Sequence, residues 1–210
     1  MKTQQNYYDI IAADPPWAYG KDTGRTRTAE HHYRTIGNSL GGEINRKNGA
    51  GIERIIAATP IAQWARLNAH LYLWTTNPKL PFAFPVMAAW EFEYKTCLTW
   101  VKTTKSGRPI QNGMGWFFRG MTEHVLFGVR GNRPIPAALR RPNYVETVLS
   151  NAEEEAFMLG HAFPAMRGEH SEKPPEFYSL VDAISPGAVK LDVYARKARL
   201  GWDVWGDEAP

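Results

Sequence analysis

Cysteine is nearly missing from this 210-residue chain, where Cys97 stands alone. A single thiol forms no internal disulfide, so nothing asks for an oxidising compartment, and the chain reads as cytoplasmic. Long apolar runs are missing as well. None approaches the roughly 18 to 20 residues that span a bilayer, and the opening MKTQQNYYD lacks the apolar centre of a signal peptide. Membrane and secretory readings fall away. His31, His32, His70, His124, His161 and His170 form no metal-ligand spacing with one another or with Cys97, so no metal is expected and the His31-His32 pair reads as polar loop. Gly20-Lys21-Asp22-Thr23 has the wrong glycine spacing for a phosphate loop.

What is present is a charged fraction of 22%, with 8 Trp, 9 Tyr and 9 Phe, a composition suited to a folded domain and too aromatic for a disordered chain. The length fits one domain over 1–210. The net charge of +4 is an average: residues 1–60 sum to +2, 61–100 to +1, 101–141 to +7, 142–170 to −4 and 171–210 to −2. The +7 stretch holds Lys102, Lys105, Arg108, Arg119, Arg130, Arg133, Arg140 and Arg141 against Glu123 alone, interleaved with Trp116, Phe117 and Phe118. Cations that neutralise phosphates beside rings that stack on bases suit a nucleic-acid track. Solvated surface explains such a stretch equally well, so charge points to a partner and names no reaction.

Tyr7 to Ala13 is a short apolar run rich in strand formers, stopped by Pro15 and Pro16. Residues 18–51, rich in Gly, Thr, Asn and charge, read as a long loop. Helices are expected over Ile52 to Ala58, over 61–67 and over Lys79 to Trp90, where Pro81 and Pro85 argue for a late start. Strands are expected at Leu71 to Thr75, Tyr94 to Lys102, Glu123 to Arg130, Val189 to Tyr194 and Trp202 to Trp205. Tyr144 to Met158 reads as partly helical, and Pro174 to Ile184 as a helix with Phe177, Leu180, Val181 and Ile184 on one stripe. Strands alternating with helices argue for a single α/β domain on a mostly parallel sheet.

Asp14-Pro15-Pro16-Trp17 follows the first strand directly. A tetrad of Asp, Asn or Ser, then two prolines and an aromatic residue arises by chance about 0.01 times in a chain of this composition, and ligands of open α/β sheets bind beyond the C-terminal ends of the strands. These residue types suit alkylation of an exocyclic amine on a base. The amine lone pair is delocalised into the ring, and hydrogen-bond acceptors favour the pyramidal nitrogen that develops in the transition state. Asp14 supplies one acceptor and the Pro15 carbonyl, without nearby competing donors, a second. Trp17 offers a flat face for a base, which must be unstacked or single-stranded to enter such a pocket.

The chain resembles a family, the S-adenosylmethionine-dependent adenine N6-methyltransferases of the DPPW type, which includes the catalytic subunit of the messenger-RNA adenosine methyltransferase and short bacterial and phage members. The resemblance is carried by YDIIAADPPW at 8–17, HYRTI at 32–36, LYLWTTN at 71–77, YKTCLTWVK at 94–102, WFFRGMTEHVLFGVRGN at 116–132, HSEKPPEFY at 170–178 and KLDVYARKARLGWDVWGDE at 190–208. It implies a Rossmann-like methyltransferase fold in permuted order, catalytic motif first and cofactor strand last. It also implies S-adenosylmethionine as cofactor, with Lys173, Asp192, Arg196, Asp207 and Glu208 at cofactor positions. Tyr33 and Asn77 fall on pocket-lining segments, and Trp116, Arg119 and Glu123 on the segment that the acceptor nucleic acid approaches.

The chain departs from the wider methyltransferase pattern after Asp192, where Val193-Tyr194-Ala195-Arg196 stands in place of a glycine-rich cofactor loop. It also begins 13 residues before Asp14, without the upstream strand of the larger eukaryotic member, and Ala137 to Leu159 has no counterpart. The leading expectation is N6-methylation of adenine in DNA. The alternatives are the same reaction on RNA and a non-catalytic nucleic-acid-binding subunit. Nucleic acid is the expected partner, and a homodimer is compatible with the sequence.

Overall fold

A computed structural model describes residues 7–17, 54, 56–103, 117–140 and 173–206, together with the backbone of 162–166. Its strands are β1 (Tyr8–Ala13), β2 (Ala65–Thr76), β3 (Glu93–Thr103), β4 (Thr122–Arg130), β5 (Ala162–Met166), β6 (Lys190–Val193) and β7 (Asp203–Trp205). Its helices are α1 (Ile61–Trp64), α2 (Leu80–Ala89) and α3 (Pro175–Ile184). The strands form one sheet in the order β5-β3-β4-β2-β1-β6-β7. β1 runs parallel to β2 and β6, β3 to β5, and β6 to β7, while β4 is antiparallel to both its neighbours. The N-terminal strand therefore sits in mid-sheet beside a strand from near the C-terminus, the permuted Rossmann-like arrangement.

Period-two side chains split the core in two. Ile11, Ala13, Leu71, Leu73 and Leu126 face α2, which buries Ala83, Val86 and Met87, and Trp90 closes the layer. Ile10, Ala12, Tyr72, Trp74, Leu98, Trp100 and Val125 face Phe177, Tyr178 and Val181 of α3. Every residue of β1 is buried, as expected of a central strand covered on both faces. Gly128 lets α2 approach β4, since a Cβ there would lie 3.0 Å from Met87 Sδ and 3.1 Å from Phe92 Cβ. At the end of the sheet remote from Asp14, Asp9 is held by Arg66 at 3.1 Å, by Arg133 at 2.9 Å and by the Val189 amide at 3.0 Å.

Three readings of the sequence are corrected. The helix over 61–67 stops at Trp64, because Ala65 pairs with Tyr8 and the chain continues as twelve residues of strand. α2 begins at Leu80 with Pro81 inside its first turn, where a missing amide hydrogen is no loss. β5 carries Pro164 and lies at the sheet edge, the place a strand proline is tolerated, so its composition hid it. The expected helix over Tyr144 to Met158 lies outside the described residues. No helix among the described residues is long and apolar enough to cross a membrane.

Candidate active site

Asp14 emerges from the C-terminal end of β1, its amide donating to the Val193 carbonyl at 3.2 Å, which ties the turn to the end of β6. Pro15 and Pro16 stiffen the backbone there, and the Trp17 amide turns back onto the Pro15 carbonyl at 2.8 Å. That tight turn corrects the expectation of a carbonyl free of competing donors: one lone pair of Pro15 is occupied and the other is left. Trp17 is also corrected. Its ring is 5% exposed, it belongs to the core on the α2 face, and its indole N–H donates to the Trp74 carbonyl at 2.9 Å. The side chain anchors the tetrad to β2 instead of offering an open stacking face.

Three remote segments converge on Asp14. Lys173 Nζ lies 2.8 Å from Asp14 Oδ2 and 3.2 Å from Glu123 Oε2, and the other Glu123 oxygen takes Lys102 Nζ at 2.5 Å. The result is an alternating row, Asp14, Lys173, Glu123, Lys102, that carries no net charge. Its cations also ride over aromatic faces, Lys173 at 5.1 Å from the Trp74 ring centre and Lys102 at 5.1 Å from that of Trp100. Lys173 is 7% exposed, a burial that an ammonium tolerates only when paired.

The row sets the protonation of its members. Burial raises the Asp14 carboxyl above the ordinary range; Lys173 opposes that rise and Glu123 adds to it. For Glu123 burial is outweighed by Lys173 and Lys102, which hold it at about 2. Burial acts to lower Lys173, but the two carboxylates prevail and keep it charged. Beside this row, on β6, Asp192 accepts from the Tyr178 hydroxyl at 2.9 Å and lies 3.8 Å from Arg199 Nε, whose guanidinium stacks 3.6 Å above the Tyr178 ring centre. Burial lifts Asp192 to about 7 against those two partners, and the Asp14 charge pushes the same way.

Tyr194, directly after β6, stands where a glycine-rich turn is absent from the sequence. It adopts φ 64°, the left-handed conformation that glycine usually supplies. Its amide donates to the Trp205 carbonyl at 2.5 Å, its hydroxyl lies 2.6 Å from Thr59 Oγ1, and Gly206 leaves room for its backbone. The turn is thus made without its usual residue, at the strand ends where ligands of such sheets bind.

At the rim, Asn77 Oδ1 lies 2.6 Å from His124 Nε2, Asn77 Nδ2 donates to Thr122 Oγ1 at 3.1 Å, and His124 Nδ1 lies 3.1 Å from Thr99 Oγ1. A ring nitrogen that accepts from the Thr99 hydroxyl leaves the other to donate to Asn77, and burial lowers His124 so that it stays neutral. Arg119 lies exposed before β4, and Arg196 follows β6. Tyr33, Trp116, Asp207 and Glu208 lie outside the described residues. Of the expected residues, the structure brings Asp14, Glu123 and Lys173 into direct contact. It adds Lys102, Tyr178 and Arg199, which lie on the segments 94–102, 170–178 and 190–208 that carry the resemblance but are not among the expected site residues.

The sequence pattern of the MT-A70 family matches residues 8–208. The chain belongs to the MT-A70 family. It is 27% identical, over 97% of its length, to the Type II methyltransferase M.MunI of Mycoplasma sp, of which it covers 78%. It is 27% identical, over 96% of its length, to the N6-methyladenosine RNA methyltransferase MTA1 of Cryphonectria parasitica, of which it covers 51%. To the N(6)-adenosine-methyltransferase catalytic subunit METTL3 of Homo sapiens it is 23% identical over 90% of its length, covering 26% of that protein. This MT-A70 domain therefore spans most of one named relative and about half or less of the others.

Proposed function

We propose that this MT-A70 domain transfers a methyl group from S-adenosylmethionine to the N6 amine of adenine in DNA. The observation that carries the reading is Lys173 seated between Asp14 and Glu123, at 2.8 and 3.2 Å, at the C-terminal end of the first strand. Lys173 occupies Asp14 Oδ2, so Oδ1 is the oxygen for the amine, with the remaining lone pair of the Pro15 carbonyl as second acceptor. Two acceptors draw the amine hydrogens out of the ring plane and localise the nitrogen lone pair. The nitrogen sheds a proton once alkylated, and Asp14, raised above an ordinary carboxyl, takes it at Oδ1. The preformed row makes this a site of orientation and electrostatics rather than covalent catalysis.

The residues fit the cofactor. Asp14 and Asp192 lie at the ends of adjacent parallel strands, and burial together with the Asp14 charge raises the Asp192 carboxyl, a strain that a cationic sulfonium or ammonium relieves. Asp192 and Arg196 would hold the amino-acid portion, Asp207 and Glu208 the ribose, with Lys173 at the join between cofactor and acceptor. When bound, S-adenosylmethionine supplies an electrophilic methyl group. Asn77 and Arg119, with Tyr33 and Trp116, are assigned to the acceptor side.

DNA is favoured over RNA because the relative that the domain covers most fully among the three is named a type II methyltransferase, at 78%, against 51% and 26% for those named for adenosine or RNA. The same reaction on RNA is the second reading. A purely nucleic-acid-binding role is disfavoured by the intact Asp14 and Lys173 pair, and a cytoplasmic location fits the single thiol. Incubation with labelled cofactor and, in parallel, duplex DNA, single-stranded DNA and RNA, followed by nucleoside mass spectrometry, tests the proposal: N6-methyl-deoxyadenosine is expected, and label confined to RNA would move the assignment to the second reading.

A further inference from the structure

Phe117 and Phe118 are 96% and 91% exposed, two adjacent large apolar side chains turned to solvent just before β4. The chain between them and the site is short. The Lys102 amide donates to the Met121 carbonyl at 3.0 Å, which pins the backbone beside β3, and Glu123 of the charged row comes two residues later. At about 3.6 Å per residue, three residues of chain keep the Phe118 backbone within roughly 11 Å of that pin. The pair is therefore tethered next to the reaction centre. Their chemistry is also specific: phenyl rings carry no hydrogen-bonding group and stack on any base without reading it. Exposed Arg119 follows directly, and the sequence from 101 to 120 holds Lys102, Lys105, Arg108 and Arg119 with no carboxylate, which selects a polyanion as occupant and disfavours a second copy of the same basic stretch.

We propose that Phe117 and Phe118 form a wedge that stacks into duplex DNA beside the target adenine and fills the gap from which that base is turned out. The inference rests on the adenine methylation reading and deepens it, because an amine inside a stacked duplex cannot reach Asp14. The wedge acts on the opening of the duplex, so it discriminates between substrates that must be opened and those already open. It has no part in the methyl transfer itself.

The test is the Phe117→Ala/Phe118→Ala variant against three substrates of one sequence: a duplex, the same duplex with an abasic site opposite the target adenine, and the single strand. Loss of two stacking faces is expected to lower kcat/KM on the intact duplex by roughly 10- to 100-fold, with changes under about threefold on the two open substrates. Binding of S-adenosylmethionine by calorimetry is expected to be unchanged, which shows that the variant is folded. A second readout needs no turnover: 2-aminopurine at the target position should brighten when the native protein binds the duplex and stay dim with the variant. Equal losses on all three substrates, no loss on the intact duplex, or a shift from dimer to monomer in sedimentation that accounts for the losses would each overturn the wedge. If the native protein methylates none of the three, the methylation reading fails, and the 2-aminopurine signal alone decides the wedge.

Discussion

Replacement of Lys173 by Met takes the shared cation out of the row and leaves its aliphatic volume behind. Glu123 keeps Lys102 at 2.5 Å, whereas Asp14 loses the ammonium that sat 2.8 Å from Oδ2. The side chains of Lys173, Glu123 and Asp14 are 7%, 14% and 22% exposed, so water replaces the lost partner poorly. Breaking a buried pair by removing one member costs about 3 to 5 kcal/mol; the partial exposure of Asp14 puts this case near the low end, at about 3 kcal/mol. The cost depends on pH in a fixed direction. Burial already raises the Asp14 carboxyl, and Lys173 is the main opposing influence, so the variant raises it further. A carboxyl raised by folding contributes stability below its unfolded value and loses it as pH climbs through the folded value. The deficit of the variant should therefore be full at pH 8 and shrink toward pH 5 as a proton neutralises Asp14, while Glu123, which loses Lys173 but keeps Lys102, climbs from about 2 and adds to the same acid-side recovery. Urea unfolding of both proteins at the two pH values measures it. Methyl transfer should fall by about 100-fold or more at either pH, because the acceptor has lost its orientation. A stability difference that ignores pH, or no difference at all, would refute the electrostatic account of the row.

Lys102→Met should let the Glu123 carboxyl climb from about 2, so acid unfolding followed by circular dichroism moves to higher pH, while Lys102→Arg keeps the native profile; the stability at stake is about 1 to 2 kcal/mol, since both partners are partly exposed. Asp192, lifted to about 7, should ionise when a cation settles beside it, so affinity for S-adenosylmethionine should rise with pH through 7 and binding should release a proton, read as buffer-dependent heat; Asp192→Asn should abolish that dependence.

Local chemistry made much of this fold legible. The apolar run before Asp14 could only be a buried strand, and Pro15-Pro16 had to end it; α3 announced itself by Pro175 in the first turn and an apolar stripe. Tertiary pairing overrode local preference at Ala65, drawn from a helix into register with Tyr8. At the site, residue types single out Asp14 but not its partners. Asp14, Glu123 and Lys173 meet only because the end of β1, the start of antiparallel β4 and the chain leading into α3 come together at one end of the strands, a fact of topology that spacing in one sequence does not encode. The anchoring role of Trp17 is hidden for the same reason: an indole after two prolines looks available, and only the α2 layer and the Trp74 carbonyl reveal it as an anchor.

In the proposed reaction Asp14 holds the adenine amine for methyl transfer. The most direct test of this role is Asp14→Ala, with the native protein alongside, incubated with labelled S-adenosylmethionine and adenine-containing duplex DNA and analysed by nucleoside mass spectrometry. N6-methyl-deoxyadenosine is expected from the native protein and none from a variant whose circular dichroism shows it folded; undiminished methylation by the folded variant would contradict the account.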